Sequence, residues 1–129
     1  MKNEFGMRVA HWNILAGKLA DKEMFVTVSQ DHLDWSFRFQ LITAHLLELN
    51  ADILGISEFD CLNKSANFFS EDKNQIGKKA HTDLKNFLTF EMGYADYIIE
   101  KDSGLSASAI FYKKDKFQCI AQGKLNLDY

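Results

Sequence analysis

The chain is predicted to be α/β: a strand, a helix and a second strand open it, and a further helix and more strands follow. Two observations carry that prediction. The apolar period changes from two to between three and four after Asp34, and it gives way at Ile53 to a continuous apolar run ending in two carboxylates. Composition agrees, because 129 residues with 47% hydrophobic and 13% aromatic side chains are enough for one domain with a real core. No proline, repeat or low-complexity stretch marks an internal boundary.

Met7 to Leu15 reads as a strand, with Val9, His11 and Asn13 on one face, Ala10, Trp12 and Ile14 on the other, and both faces largely covered. Asp34 is placed to N-cap a helix whose buried stripe is Trp35, Phe39, Ile42, Leu46 and Leu49, at alternating steps of four and three. Asn50 to Asp52 turns the chain. Ile53 to Phe59 then has the unbroken apolar character of a strand covered on both faces, which completes a βαβ-like opening.

Asn63 to Lys79 holds too many Asn, Lys, Asp and Ser to be expected as an element, although Phe68 and Phe69 suggest that it folds back. A second helix is expected from about His81 to Met92, burying Leu84, Phe87 and Leu88 and stopping at Gly93 in the C′ position. Tyr94 to Glu100, Ser106 to Tyr112 and Phe117 to Ala121 read as three strands, the last two joined by the charged turn "KKDK".

The formal charge of −3 gives no general attraction to nucleic acid or to an anionic membrane, so a phosphate-bearing substrate needs a local site or a bound cation. Cys61 and Cys119 lack the spacing of a metal or redox motif and read as reduced thiols. The first residues lack the apolar run of a signal peptide or a membrane span, which makes a soluble cytoplasmic protein the expectation.

Glu58 stands at the tip of the apolar strand. Strict alternation would turn it to the side of Leu54 and Ile56, so an acid there leaves the core only at the rim. A carboxylate on a rigid strand tip suits Mg²⁺, or Mn²⁺, which takes one or two carboxylates together with water and substrate phosphate. Asn13, near the end of the first strand, offers an amide to orient such a ligand. Taken alone, a strand-end Glu is more often an ordinary solvated loop-entry residue, and a strand-end Asn commonly hydrogen-bonds a turn backbone.

"HWNILAGKLADKEMFV", followed by "LDWSFRFQLITAHLLELNADILGISEFD", resembles the start of the endonuclease/exonuclease/phosphatase superfamily, in its nocturnin and carbon-catabolite-repressor deadenylase branch. The later "ASAIFYKKDKF" is similar to a strand and turn of that branch, and the likeness runs with gaps from about Arg8 to Ile120. The resemblance implies the N-terminal half of a four-layer α/β/β/α sandwich, with residues 1–129 forming a single incomplete domain. It makes Glu58 the metal-binding glutamate and Asn13 the active-site asparagine. Trp35 and Arg38 match the helix signature, while Asp60 matches a motif aspartate without an assigned role.

The departures are Ser57 where the branch has Gln, and Ser106 and Ala107 where it has Asp-Gly. The family's catalytic His, its Asp-x-Asn pair and its terminal Asp-His have no counterpart before Tyr129, and His11, His32, His45 and His81 do not match them. The implied activity is Mg²⁺-dependent hydrolysis of a phosphate ester: RNA, DNA, a nucleotide or another phosphoester. This chain alone is expected to be inactive. The alternative is a non-catalytic remnant of the fold that acts as a binding or interaction module. In either case an inner sheet face left exposed should promote self-association.

Overall fold

The computed structural model describes residues 6–62, 70–102 and 104–125. Strand β1 spans Val9–Asn13, and a 3-10 turn, Gly17–Leu19, follows it. Helix α1, Gln30–Leu33, is one turn long and leads through Asp34 into α2, Trp35–Leu49. Strand β2 is Ile53–Phe59; helix α3 is Glu71–Asn86, continued by a π-helical turn, Phe87–Glu91. Strands β3, Tyr94–Glu100, and β4, Ala107–Lys113, form a hairpin.

The four strands make one mixed sheet in the order β1-β2-β4-β3. β1 and β2 run parallel across the α2 crossover, and β4 runs antiparallel to both β2 and β3. The βαβ opening is therefore present. Ile42 and Leu46 of α2, Leu84 of α3 and Leu88 of the π-helical turn pack with Leu54, Ile56, Ala109 and Phe111 on one face of the sheet, where the core sits.

The other face is open. It carries Val9, His11 and Asn13 from β1, in register with Ile53, Gly55 and Ser57 of β2. Beyond these lie Ser108, Ile110 and Tyr112 of β4, then Ala95, Tyr97 and Ile99 of β3. The expectation that both faces of β1 and β2 are covered is thus corrected: Val9 is 60% and Ile110 49% exposed, and His11 and Asn13 are exposed as well. The structure shows one sheet with its helices packed on one side.

Three element expectations need correction. Polar residues from Glu71 onward do form an element: Ser70 Oγ accepts from Lys73 N at 3.3 Å, and Glu71 and Asp72 occupy the first turn, where the helix dipole favours acids. The second helix accordingly starts ten residues before the expected His81. Phe117 to Ala121 forms no strand, because β4 already has β2 on one edge and β3 on the other, leaving a following segment nothing to pair with. On α2, Trp35, Ile42 and Leu46 are buried and Phe39 is partly so, but Leu49 is 36% exposed where the helix ends beside left-handed Asn50. Asp34 is the N-cap by position, without a side-chain capping bond.

Gly93, at φ +74, takes the C′ role expected of it. The expected folding back of Phe68 and Phe69 lies outside the described residues. Both cysteines are free; Cys61 is buried, and burial pushes its thiol up to about 11, whereas Cys119 is exposed. Among the described residues, no helix is long and apolar enough to cross a membrane.

Candidate active site

Because β1 and β2 are parallel, with Asn13 opposite Ser57, their carboxyl ends meet at one rim. There β2 departs from regular pairing. Its register with β4 moves from Ile56 opposite Ala109 to Phe59 opposite Ala107, so three steps on β2 match two on its partner, and Glu58 holds a left-handed φ of +54. This β-bulge corrects the expected orientation of Glu58: alternation would have turned it toward Leu54 and Ile56, but the extra residue re-aims it while Phe59 takes the buried position. Asn13 Nδ2 donates to Glu58 Oε1 at 3.1 Å.

The amide of Asn13 is fixed from its other end. Leu15 N donates to Asn13 Oδ1 at 3.0 Å, an Asx turn that Leu15 joins with φ +58. Arg38 Nη2 holds that turn by donating to the carbonyl oxygens of Ile14 and Leu15, at 2.6 and 2.5 Å. The guanidinium lies 5.9 Å from the centre of the Trp35 ring, and Trp35 Nε1 donates to Asp83 Oδ2 at 2.9 Å. Helix α2 therefore sets the turn after β1, and the turn sets Asn13. A left-handed β-branched or large residue needs such support, since the conformation costs about 1–2 kcal/mol per L-residue.

Glu58 Oε2 is buried and has no hydrogen-bond partner. One oxygen of the carboxylate is thus satisfied by Asn13 and the other is left to whatever enters the site. On the open face, His11 Nε2 and Ser57 Oγ are 2.9 Å apart, and the imidazole lies against Gly55, where a Cβ would come within 3.1 Å of His11 Cδ2. Nothing in the residue spacing announces this pair, because it depends on strand register.

Asp60 does not join the site. It is 3% exposed and faces the helix layer, where its Oδ2 accepts from Gly17 N at 2.6 Å and its Oδ1 from Lys18 N at 3.2 Å. Burial raises its pKa to about 6, against the opposing pull of those amides and of the Lys18 and Arg38 charges. Lys18, itself buried, donates from Nζ to the Gly104 carbonyl at 2.7 Å. Asp60 is a buried tether for the turn at Gly17.

The remaining histidines are elsewhere. His32 stacks on Phe37, His45 packs edgewise on Trp12, and buried His81 Nδ1 meets the Asp60 carbonyl at 2.7 Å. Among the described residues, no group of three or more His, Cys, Asp or Glu side chains gathers as a metal centre.

No family model matches the chain. Among curated proteins it is 27% identical to nocturnin of Xenopus laevis over 121 residues, covering 93% of this chain and 29% of that protein. It is 28% identical to nocturnin of Drosophila melanogaster over 113 residues, covering 87% of this chain and 16% of that protein. The chain thus spans less than a third of the curated relatives it matches. Among solved structures it superposes on ANGEL2, a 2′,3′-cyclic phosphatase, with TM-score 0.62 at 21% identity, covering 89% of this chain and 29% of that one. A complex of ANGEL2 with adenosine-2′,3′-vanadate gives 0.59 at 23% identity, again covering 89% and 29%. The human Nocturnin catalytic domain with bound sulfate gives 0.54 at 22% identity, covering 89% of this chain and 35% of that one. The chain is thus similar in sequence to part of the nocturnins, and in fold to part of ANGEL2 and of the Nocturnin catalytic domain.

Proposed function

We propose that this chain carries the metal-holding part of a Mg²⁺-dependent phosphoester hydrolase site, with Glu58 as metal ligand and Asn13 as the residue that orients it. The observation that supports this most is the half-satisfied carboxylate: Oε1 is held by Asn13, while buried Oε2 has no partner, on a strained left-handed residue. Buried polar groups are nearly always satisfied, so an orphaned carboxylate oxygen at a strand tip fits a hard cation. Strain held in place by Arg38 and the Asx turn is what a pre-organised site requires.

The cation would polarise a phosphoryl oxygen and offset the chain's negative charge locally. Glu58 holds the site's negative charge in a fixed place. Asn13 keeps Glu58 from swinging away and leaves no amide oxygen free to compete for the cation, since Oδ1 is taken by Leu15 N. Arg38 acts at one remove, through the carbonyls of Ile14 and Leu15. The substrate class is a phosphate ester; two of the solved relatives hold an adenosine-2′,3′-vanadate and a sulfate, which are phosphate-like groups in those proteins. We include self-association of the chain in this reading, since the site stands at the rim of an open sheet face.

Titration calorimetry tests the assignment. Weak Mg²⁺ binding that disappears in Glu58→Gln and weakens in Asn13→Ala is expected, because a single carboxylate leaves most of the octahedron to water and Asn13 only orients that carboxylate. Equal affinity in wild type and Glu58→Gln would remove Glu58 from the site. Hydrolysis of RNA, DNA or nucleotide phosphates by the chain alone is expected not to exceed that of a Glu58→Ala control, since groups that act as a unit lose their effect together.

A further inference from the structure

We propose that Asp60 is a positioning residue for the site: from the helix side of the sheet it ties the exit of β1 to the exit of β2 and so keeps Asn13 and Glu58 facing each other. This rests on the assignment of Asn13 and Glu58 above and gives the motif aspartate a part in it at one remove. The parallel ladder ends where Ile14 N donates to the Ser57 carbonyl at 3.2 Å. Past that bond both segments leave the sheet through left-handed residues, Leu15 at φ +58 and Glu58 at φ +54. Two ties then join the same two exits. Asn13 Nδ2 meets Glu58 Oε1 at 3.1 Å, and on the helix side Gly17 N and Lys18 N donate to Asp60 at 2.6 and 3.2 Å. Leu15 lies two residues before Gly17 and Glu58 two before Asp60, so relaxing either left-handed backbone pulls on a carboxylate that two amides hold.

The tie is itself anchored. His81 Nδ1 of α3 meets the Asp60 carbonyl at 2.7 Å, and Lys18 Nζ donates to the Gly104 carbonyl, in the turn between β3 and β4, at 2.7 Å. Arg38 grips the same loop from its other end, through the carbonyls of Ile14 and Leu15. Asp60, Lys18 and His81 are each 5% exposed or less, and every partner named lies on this chain, so the joint is made whatever covers the other face of the sheet. Two converging N–H donors call for two acceptor oxygens on one rigid group, which a carboxylate supplies, and the Lys18 and Arg38 charges attract it. Buried charges add little net stability over an apolar filling of the same space. What this one supplies is register between the loop after Asn13 and the strand end that carries Glu58.

Native-state hydrogen exchange on the full 129-residue chain tests this without metal. In wild type the Leu15 amide, held by Asn13 Oδ1, and the Gly17 and Lys18 amides, held by Asp60, are expected to open as one unit with the same denaturant dependence. Asp60→Asn, which offers a single acceptor oxygen, should speed exchange at Leu15 and weaken Mg²⁺ binding by about 2- to 30-fold. Tyr94→Phe, which removes a hydrogen bond to the Ala51 carbonyl at the other end of β2, should lower stability and leave Mg²⁺ affinity unchanged. A Leu15 amide that opens in wild type while Gly17 and Lys18 stay closed overturns the proposal, and that result decides the matter even if Asp60→Asn fails to fold. Wild-type Leu15 exchange in a folded Asp60→Asn overturns it as well. Mg²⁺ affinity unchanged in Glu58→Gln sinks the phosphoester reading alone, because the shared opening of Leu15, Gly17 and Lys18 is read with no metal present.

Discussion

Gly77→Ala is expected to destabilise the protein, against the usual sign for this substitution within a helix. Alanine ordinarily gains about 1 kcal/mol over glycine in a helix interior. At Gly77 the added methyl would stand 3.1 Å from Lys18 Cε and 3.2 Å from Asp60 Oδ1. Neither neighbour yields freely: Lys18 Nζ is held by the Gly104 carbonyl at 2.7 Å, and Asp60 holds the amides of Gly17 and Lys18. Overpacking costs about 1–3 kcal/mol, and weakening a hydrogen bond to a buried charge about 1.5–3 kcal/mol. Their sum exceeds the helix gain, leaving a net loss of about 1.5–5 kcal/mol and a melting point lower by several degrees or more. Thermal and urea unfolding followed by circular dichroism give the answer directly. A Gly77→Ala protein as stable as wild type or more so would mean that Lys18 and Asp60 shift at no cost, and that the tether is not the rigid joint described.

Asp60 gives a pH dependence of defined sign. Its folded pKa of about 6 lies above the ordinary 3.8, so its contribution is fully present below the ordinary value and lost as pH rises through 6. Relative to Asp60→Asn, wild type should therefore gain stability from pH 7 down to pH 4, by roughly 2 kcal/mol; a constant difference across that range would refute the shift. Glu58→Gly should abolish Mg²⁺ binding and yet raise stability by about 1 kcal/mol in urea, because glycine accepts the left-handed conformation that glutamate bears at a cost. Lower stability in Glu58→Gly would count against strain at the bulge. Leu46→Ala, at a position 1% exposed, should cost about 2–5 kcal/mol, whereas Leu49→Ala, 36% exposed, should cost less than about 1; equal effects would mean that the α2 stripe is misassigned.

The meeting of Asn13 and Glu58 is legible in the sequence because a strand, a fifteen-residue helix and a strand leave few ways to place two strand ends apart. The direction of Glu58 is not, since no glycine marks the bulge and a left-handed glutamate has no sequence signature. Periodicity misses Glu71 to Ala80 of α3 because that stretch buries Gly77 and Ala80 in place of large apolar residues; its signal is the capping Ser70 with two acids after it. Alternation at Phe117 to Ala121 is real but idle, because pairing needs a free edge and β4 has none. The open face of β1 is misjudged for a similar reason: apolar residues record that a surface is meant to be covered, and the cover need not lie in the same element set.

The position of β4 inside the sheet also orders its assembly in time. β3 and β4 are neighbours in the chain, so their register from Tyr94 opposite Lys113 to Glu100 opposite Ala107 closes only a short loop. β2 must find the other edge of β4 across the whole of α3, and β1 must then find β2 across α2. Tyr94 couples the first step to the second, since its hydroxyl donates to the Ala51 carbonyl at the entrance to β2. The hairpin, with the shortest loop to close, is expected to form first, so that a substitution that breaks β4 slows folding and a stopped-flow refolding rate unchanged by it would refute the order.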